Sequence, residues 1–415
     1  MTQAPSISDF EDGYDPHSMG EYAHGGIEDI YGASRKLLEK HGPVVEGSPF
    51  TLFGEPQRPS ATDRHVFTVL GESAIREVLS DPELFNMDYL ALTFGRIMGP
   101  TLSALNDPMH GKVRRIFQAA FMPHNVARWG DQLVEPIANQ LVDRFIDKGR
   151  AEIVNDFALP YPFEIIYRQL NLPQSDTAVF HKMAVAMLAG REELYGYAME
   201  ASRKLGDYFS GLVQERRRNP GEDLISALVT AEVDGEYIPD ENLISFLRQL
   251  LSAGGDTTYR GTGSMMIGLL QNPDQLEQVR ANRSLVAQAV EEALRWESPT
   301  VMSVRSAARD TELAGVHIPK DSVLVVITAA AQHDLARYEN PDVFNINRPR
   351  ERHLAFSYGS HVCLGQHLAR LEMSRALNVL LDRLPPNLRL DPDMPRPRIT
   401  GVNFRTPSDV HVLFG

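Results

Sequence analysis

Apolar residues recur with helical spacing over most of the chain between residues 110 and 383. The segments with this spacing are predicted helices: 72–80, 125–148, 175–189, 192–218, 223–233, 240–271, 273–281, 284–297 and 364–384. The longest, 240–271, follows Pro239, and Asp240 is its predicted N-cap. The pattern therefore predicts a mainly helical protein.

Short apolar runs predict a smaller β portion, at residues 66–70, 312–317 and 323–328. The segment 85–104 is apolar but interrupted by glycine and proline, so it either packs on the body or lines a pocket. Residues 1–25 are polar and rich in Asp, Gly, Pro and His. We expect a flexible N-terminal lead-in over 1–25 and one domain over 26–415.

Composition excludes several classes of protein. With 41 Lys and Arg against 55 Asp and Glu, the net charge of −14 argues against nucleic-acid binding and against an anionic lipid surface. A single cysteine, Cys363, excludes an intramolecular disulfide and a multi-cysteine zinc site. The longest strongly apolar run, 323–331, is shorter than the ~20 residues that span a bilayer. The N-terminus lacks a signal-peptide pattern, so we expect a cytoplasmic protein without a membrane span.

Cys363 lies in a loop that favours metal binding. A lone cysteine is usually an inert small hydrophobe. Here, however, Gly359 and Gly365 flank it, and both allow tight turns and close approach to a flat group. A predicted helix begins directly afterwards, and its N–H groups stabilise a thiolate. One thiolate suffices for an iron that porphyrin nitrogens already hold, so the loop points to haem.

The same loop resembles that of a known family. Its pattern, Phe356-x-x-Gly359-x-x-x-Cys363-x-Gly365, resembles the haem-binding loop of the cytochrome P450 family, the haem-thiolate monooxygenases. The resemblance extends from His110 to the C-terminus and, more loosely, over the whole chain. It implies haem b between a long distal helix and the helix that follows the cysteine loop. Cys363 would be the axial ligand, and Phe356 and Gly365 would contact the cofactor.

The predicted helix 240–271 carries the run Gly254-Gly255-Asp256-Thr257-Thr258. The Thr257 hydroxyl can bond to the Ala253 carbonyl and open a groove in the helix. Close helix packing is an equally good explanation of the two glycines. The run resembles the family's oxygen-activating motif, which implies that Thr257 and Asp256 are catalytic, Thr257 in activating O2 and Asp256 in linking it to solvent protons.

An acidic protein needs local cations for the two haem propionates. His110 and Arg114 have i,i+4 spacing and follow Asp107-Pro108, which resembles the family's His-x-x-x-Arg element. Arg305 and His361 stand where the resemblance also places propionate contacts. The resemblance implies a further, structural network that positions the cysteine loop, formed by Glu292, Arg295 and Arg348.

By the order of the family, the substrate pocket is formed by Phe94, Met98, Gln249, Ala253, Val301, Val304 and Phe404. Most of these are apolar, which suits an apolar small molecule such as a terpenoid, a steroid or an aromatic compound. The family also implies a separate redox partner, and we expect a [2Fe–2S] ferredoxin with its NAD(P)H-dependent reductase. Lys112, Arg115 and Arg370 are candidates for its docking patch.

The leading hypothesis is a monooxygenase that hydroxylates a C–H bond with O2. Peroxide-driven oxygenation is an alternative that would not need Asp256 and Thr257. A haem sensor or carrier would need Cys363 and the propionate cations but not the distal acid and hydroxyl. The third reading is a helical enzyme with an inert cysteine and no haem.

Overall fold

The computed structural model describes residues 25–56, 62–188 and 195–415. Apart from Gly25, the predicted lead-in lies outside the described residues, as do residues 192–194 of one predicted helix and residue 189 of another. The division into a lead-in and one domain therefore stays a prediction. Among the described residues, no helix combines the length and the apolar character needed to cross a membrane.

Helices form most of the described structure, as predicted. Those of the first half are α1 (Ile30–His41), α2 (Pro49–Leu52), α3 (Glu72–Ser80), α4 (Asp88–Leu92), α5 (Phe94–Met98), α6 (Met109–Ala120), α7 (Pro123–Trp129), α8 (Glu135–Asp143), α9 (Pro160–Gln169) and α10 (Thr177–Ala186). Those of the second half are α11 (Tyr195–Arg218), α12 (Leu224–Thr230), α13 (Asp240–Gln271), α14 (Pro273–Ala281), α15 (Val286–Trp296), α16 (Thr328–Ala331) and α17 (Gln366–Arg383).

The observed helix ends differ from the prediction at two informative places. Asp240 is the first residue of α13 rather than its N-cap, which is Pro239 in an extended conformation. The Asp240 carboxylate instead accepts hydrogen bonds from Arg217. The predicted helix 125–148 is divided by a π-helical turn over Gly130–Val134. Pro136 explains this break, because it has no N–H to continue the α-helical ladder.

Strands form a mixed sheet and several small ones. They are β1 (Val44–Glu46), β2 (Val66–Val69), β3 (Phe85–Asn86), β4 (Arg150–Glu152), β5 (Glu232–Val233), β6 (Glu236–Tyr237), β7 (Ser303–Ala307), β8 (Thr311–Leu313), β9 (Val316–Ile318), β10 (Val323–Val326), β11 (Arg389–Leu390), β12 (Ile399–Thr400), β13 (Thr406–Pro407) and β14 (His411–Leu413). The main sheet has the order β1-β2-β10-β7-β3, with β2 and β10 parallel.

The predicted single strand 312–317 is instead the β8–β9 hairpin. Ala314 and Gly315 between the two strands have positive φ angles of 51° and 81°, as in a two-residue hairpin turn. The apolar alternation continues on both sides of this turn, so the sequence pattern predicted one strand where the structure has two. The segment 85–104 both packs and lines a pocket, because it forms β3, α4, α5 and a short 3-10 turn.

Helix α13 runs through the interior and packs on α9 and α11. At Gly254 an added Cβ would lie 2.7 Å from Cδ1 of Ile166, and at Gly255 it would lie 2.5 Å from Cε1 of Phe163. Both neighbours belong to α9, so the glycine pair permits close packing of two helices. This is the alternative that the sequence left open.

Candidate functional site

A cavity of about 870 Å³ lies between α13 and the loop that precedes α17. Ala253, Asp256 and Thr257 of α13 line one wall. The stretch from His361 to Gly365 lines the opposite wall. The distal motif and the cysteine loop, which are about a hundred residues apart in sequence, therefore face one another across one space.

The Cys363 thiol is accessible from this cavity, although the cavity itself lies inside the protein. Burial raises the pKa of the Cys363 thiol, and the N–H groups of Gly365 and Gln366 act in the opposite direction. The helix start thus favours the thiolate as predicted, but burial outweighs it in the protein alone. A bond to a metal would supply the remaining stabilisation, because a coordinating thiol is deprotonated.

The cysteine loop is held by backbone contacts. The Cys363 N–H donates to the Phe356 carbonyl at 2.9 Å. Gly359 has a φ of +74°, and a Cβ there would lie 2.1 Å from the carbonyl oxygen of Leu79. At Gly365, by contrast, a Cβ would meet no atom within 4 Å. Glycine therefore lets the loop dock on α3 at one position and leaves the cavity surface flat at the other, as a planar cofactor requires.

Phe356 does not line the cavity, and its contact with the cofactor stays a prediction. Its ring lies on the other side of the loop, under the Arg370 guanidinium at 4.3 Å from the ring centroid. Glu291 of α15 accepts hydrogen bonds from Arg370 at 2.6 Å and from His353 at 3.1 Å. Burial opposes the charge of Glu291, but these two donors prevail and lower its pKa to about 2.

The four predicted propionate residues lie together at one side of the cavity. Arg114, Arg305 and His361 line it, and His110 stacks behind His361 with ring centroids 3.9 Å apart. Arg114 donates to the Val362 carbonyl at 2.7 Å, and Arg305 donates only to its neighbouring carbonyl, that of Val304, at 2.8 Å.

Among the described residues, no carboxylate is paired with Arg114, Arg305 or His361. Burial lowers the pKa of Arg305 to about 10, and burial together with His110, Arg305 and Arg114 lowers that of His361 to about 2. His110 approaches Asp107 at 3.6 Å, but its buried Nε2 has no hydrogen-bond partner. Such a group of buried, under-compensated donors fits the two carboxylates of haem b.

On the distal wall, the Thr257 hydroxyl donates to the Ala253 carbonyl at 2.8 Å, as predicted. Asp256 is paired within the protein, and its predicted link to solvent protons stays a prediction. Its buried carboxylate accepts two hydrogen bonds from Arg260, at 2.9 Å and 3.0 Å, and Arg260 also donates to Thr406. The sequence contained a signal for this pair, namely the i,i+4 spacing within one helix.

A second buried carboxyl connects α13 and α17. Glu372 of α17 is hydrogen-bonded to Thr258 of α13, and burial raises its pKa well above the ordinary value. The hydroxyl of Tyr161 donates to the Glu372 carbonyl at 3.0 Å. Burial therefore disfavours the charged form of Glu372, and nothing in the helical pattern distinguished this residue from a surface glutamate.

Five of the predicted pocket residues line the cavity: Phe94, Gln249, Ala253, Val304 and Phe404. Met98 and Val301 do not, because both side chains are fully buried in core clusters. The neighbours of Val301, Thr300 and Met302, line the cavity instead. An apolar side chain has the same appearance in sequence whether it faces a core or a pocket.

Glu292, Arg295 and Arg348 form one cluster of ion pairs. Arg295 donates to both carboxylate oxygens of Glu292, at 2.8 Å and 2.9 Å, and Arg348 approaches it at 3.4 Å. Arg295 also donates to the carbonyls of Gln332 and Pro341. These three residues do not line the cavity, so their contacts are structural ones.

The predicted docking patch is not a set of free cations. Lys112 pairs with Glu236 at 2.9 Å and Arg115 pairs with Asp234 at 3.0 Å. Both acids belong to the β5–β6 hairpin, and Arg370 is bound to Glu291. The positive charge at this surface is therefore locally compensated.

Comparison with known proteins places this geometry in a family. The sequence model described as Cytochrome P450 matches residues 174–408. The chain is 36% identical over 292 residues to the polyketide biosynthesis cytochrome P450 PksS of Bacillus subtilis, covering 70% of this chain and 72% of the relative. It is 31% identical over 334 residues to cytochrome P450-terp of Pseudomonas sp, covering 76% of each.

Solved structures give the same result. The structure of PksS from Bacillus subtilis aligns with a TM-score of 0.83 at 29% identity, covering 97% of this chain and 100% of that one. The structure of CYP109E1 from Bacillus megaterium in complex with testosterone aligns with a TM-score of 0.79 at 26% identity, covering 93% and 99% of the two chains.

Proposed function

The chain belongs to the cytochrome P450 family of haem-thiolate monooxygenases, and on that premise we propose that it hydroxylates an apolar small molecule with electrons from a separate ferredoxin. Haem b, held by the Cys363 thiolate, supplies the activation of O2 when bound. One oxygen atom enters a C–H bond of the substrate to give an alcohol, and the other leaves as water.

One observation carries the proposal: Cys363 faces the distal motif across a cavity whose side holds four under-compensated donors. A large, flat, dianionic metal cofactor uses a lone thiolate and such a cluster together. A helical enzyme with an inert cysteine has no need for a buried Arg305 that lacks an acid.

Each site residue receives a role from its position. Arg114, Arg305 and His361 bind the propionates, and His110 supports His361 through the stacked rings. Gly365 keeps the surface beside the cofactor flat. Thr257 presents a hydroxyl to the space where O2 binds, and Asp256 holds its proton-transfer carboxylate one residue away, in the pair with Arg260. Phe356 and the Glu292 network position the loop from behind.

The lining of the cavity supports an apolar substrate of modest size. Its interior side chains include Phe94, Ile97, Phe121, Phe246 and Phe404. Gln249 donates to Ser103 at 2.5 Å, so two of the polar side chains satisfy one another. A terpenoid, steroid or aromatic body fits such a surface, because its affinity comes mainly from burial of apolar area.

The first experiment tests the cofactor. The purified protein is expected to contain haem b in equal proportion to chain and to show the absorption spectrum of a thiolate-ligated haem. Cys363→Ala should abolish that spectrum while the circular dichroism of the fold is retained. A colourless wild-type protein, or a Cys363→Ala variant with an unchanged spectrum, would refute the proposal.

The second experiment tests the reaction. Apolar molecules that displace the water ligand of the ferric haem are identified by their spectral shift and then incubated with NAD(P)H, a reductase, a [2Fe–2S] ferredoxin and O2. An alcohol carrying oxygen from labelled O2 is the expected product. Product formed with hydrogen peroxide but never with the ferredoxin system would favour the peroxide-driven alternative, and binding without turnover would favour a sensor or carrier.

A further inference from the structure

Within the part of the chain that the structure describes, the charged side chains that line the cavity are Arg96, Arg114, Asp256 and Arg305. Arg114 and Arg305 are assigned to the propionates, and Asp256 is neutralised by Arg260 at 2.9 Å. Arg96 is left over. Its guanidinium has no hydrogen bond, ion pair or ring contact with any described residue, although the chain contains 55 acidic side chains.

Arg96 lies where the cavity opens to solvent. Its residue in α5 is exposed and also lines the cavity, and the same holds for Leu92 of α4 and Tyr195 of α11, each 41% exposed. We call these three residues the mouth. Helix α5 is fixed there, because the Ser202 hydroxyl of α11 donates to the Ile97 carbonyl. The guanidinium is thus carried by an anchored helix at the border between an apolar interior and water.

We infer that Arg96 binds the carboxylate of the substrate, so that the preferred substrates are monocarboxylic acids with an apolar body. This inference rests on the proposed function and names its substrate class. The apolar body would occupy the interior towards Cys363, and the carboxylate would stay at the mouth, where it keeps part of its hydration. The apolar body would then contact apolar side chains, and the carboxylate would contact the Arg96 guanidinium and water.

The chemistry of the mouth selects this class among other polar compounds. A guanidinium presents parallel N–H donors that match the two oxygens of one carboxylate. A single positive charge compensates a monoanion, whereas a phosphate dianion would retain one uncompensated charge. An amine would be repelled by Arg96. A neutral alcohol or ester would leave the guanidinium bound only to water and would gain no charge-assisted hydrogen bond.

A second, polar cavity shows that a free arginine is not the general condition of this protein. That cavity, of about 490 Å³, is lined by Arg337 and Arg348 among others. Arg337 is paired with Glu72 and Glu351, and Arg348 with Glu292 and three carbonyls. Its cations are therefore satisfied from within the chain, whereas Arg96 has no partner among the described residues and is available to a ligand.

The test compares acids with their methyl esters on haem-loaded protein. The probes are dodecanoic acid and 4-cyclohexylbenzoic acid, each with its methyl ester, and binding is measured by the spectral shift and by calorimetry. Wild-type protein is expected to bind at least one acid about tenfold more tightly than its ester. Arg96→Gln should remove this preference without weakening the ester, and Arg96→Lys should keep part of it. Arg309→Gln, which changes an exposed arginine outside the cavity lining, is the matched control.

The outcomes separate this inference from the proposed function. A thiolate-ligated haem spectrum in all variants upholds the cofactor assignment whatever the acids do. Equal binding of acid and ester by wild type, failure of both acids to bind, or an acid preference that survives in Arg96→Gln would each overturn the role of Arg96 alone. A preference lost equally in Arg309→Gln would show a general charge effect and would overturn it too. Loss of the haem spectrum in wild type would instead overturn the proposed function.

Discussion

Two carboxylate–arginine pairs flank the cavity, and they differ mainly in depth. On the distal wall, the Asp256 and Arg260 side chains are only 5% and 4% exposed and belong to one helix. On the proximal side, Glu291 and Arg370 are 28% and 32% exposed and join α15 to α17. The two pairs therefore differ in what their loss would cost: breaking the buried pair leaves a charge with almost no access to water, whereas Glu291 and Arg370 keep partial contact with water when their pair is broken.

The largest effect is expected when the buried pair is broken. Arg260→Met leaves Asp256 as an uncompensated buried charge, so the free energy of unfolding should fall by about 3–5 kcal/mol in urea denaturation. The double variant Asp256→Asn/Arg260→Met should recover much of this loss. Arg370→Met, the matched change in the half-buried pair, should cost clearly less. Equal losses in the two single variants would remove the distinction between the pairs.

The next effect concerns the hydroxyl beside the buried pair. In Thr257→Ala we expect product formation to fall on the order of a hundredfold, the usual scale for a lost proton-transfer group. O2 and NAD(P)H should still be consumed, with the electrons recovered as hydrogen peroxide. Thr257→Ser keeps the hydroxyl and should retain coupling. Product yield per NAD(P)H is the measurement, and undiminished yield in Thr257→Ala would contradict the role of Thr257.

The contribution of the half-buried Glu291–Arg370 pair to the free energy of unfolding should depend on pH. Because the folded-state pKa of Glu291 is lowered to about 2, its ionised carboxylate stabilises the fold above the unfolded pKa of ~4.3. This contribution is lost as the pH falls from there towards 2. At pH 7, Glu291→Gln should be about 1–2 kcal/mol less stable than wild type, after allowance for solvent screening, and the difference should shrink below pH 4.5. The control is Glu312→Gln at an exposed position, and a difference independent of pH would contradict the assignment.

The smallest effect is expected at the exposed pairs of the β5–β6 hairpin. The variant Asp234→Asn/Glu236→Gln releases Lys112 and Arg115 from the β5–β6 hairpin. Reduction by an acidic ferredoxin should become about two- to fivefold faster at low salt, and the gain should vanish at high salt. Stopped-flow reduction rates measure it. If the rate does not change, the ferredoxin docks elsewhere, and the hairpin pairs are only surface contacts.

Periodicity and spacing predicted the parts of the fold that local physics decides. Helices α3, α13 and α14 have the predicted bounds, because apolar spacing and flanking prolines act within a few residues. The π-helical turn at Gly130 and the β8–β9 hairpin were missed, since each depends on one or two residues inside an otherwise regular pattern.

The candidate site was predictable where a motif names a residue type that its chemistry requires. Cys363, Thr257 and the four propionate residues all lie at or directly behind the cavity. Met98 and Val301 were wrong, because which way an apolar side chain faces depends on packing between distant segments. Arg96 and Glu372 were not found, since an arginine without a partner among the described residues and a buried carboxyl with a raised pKa are recognised only by the groups that surround them.

The glycine pair in α13 has a consequence for altering the range of substrates. Because Gly254 and Gly255 hold α13 against Ile166 and Phe163 of α9, neither position can be made smaller, and the cavity can be enlarged from α13 at lining side chains such as Phe246 and Gln249. A larger side chain at either glycine would displace α13 away from α9 into the cavity and reduce the cavity volume. Mutant libraries aimed at bulkier compounds should therefore diversify α4 and α5 at the mouth of the cavity and leave both glycines unchanged.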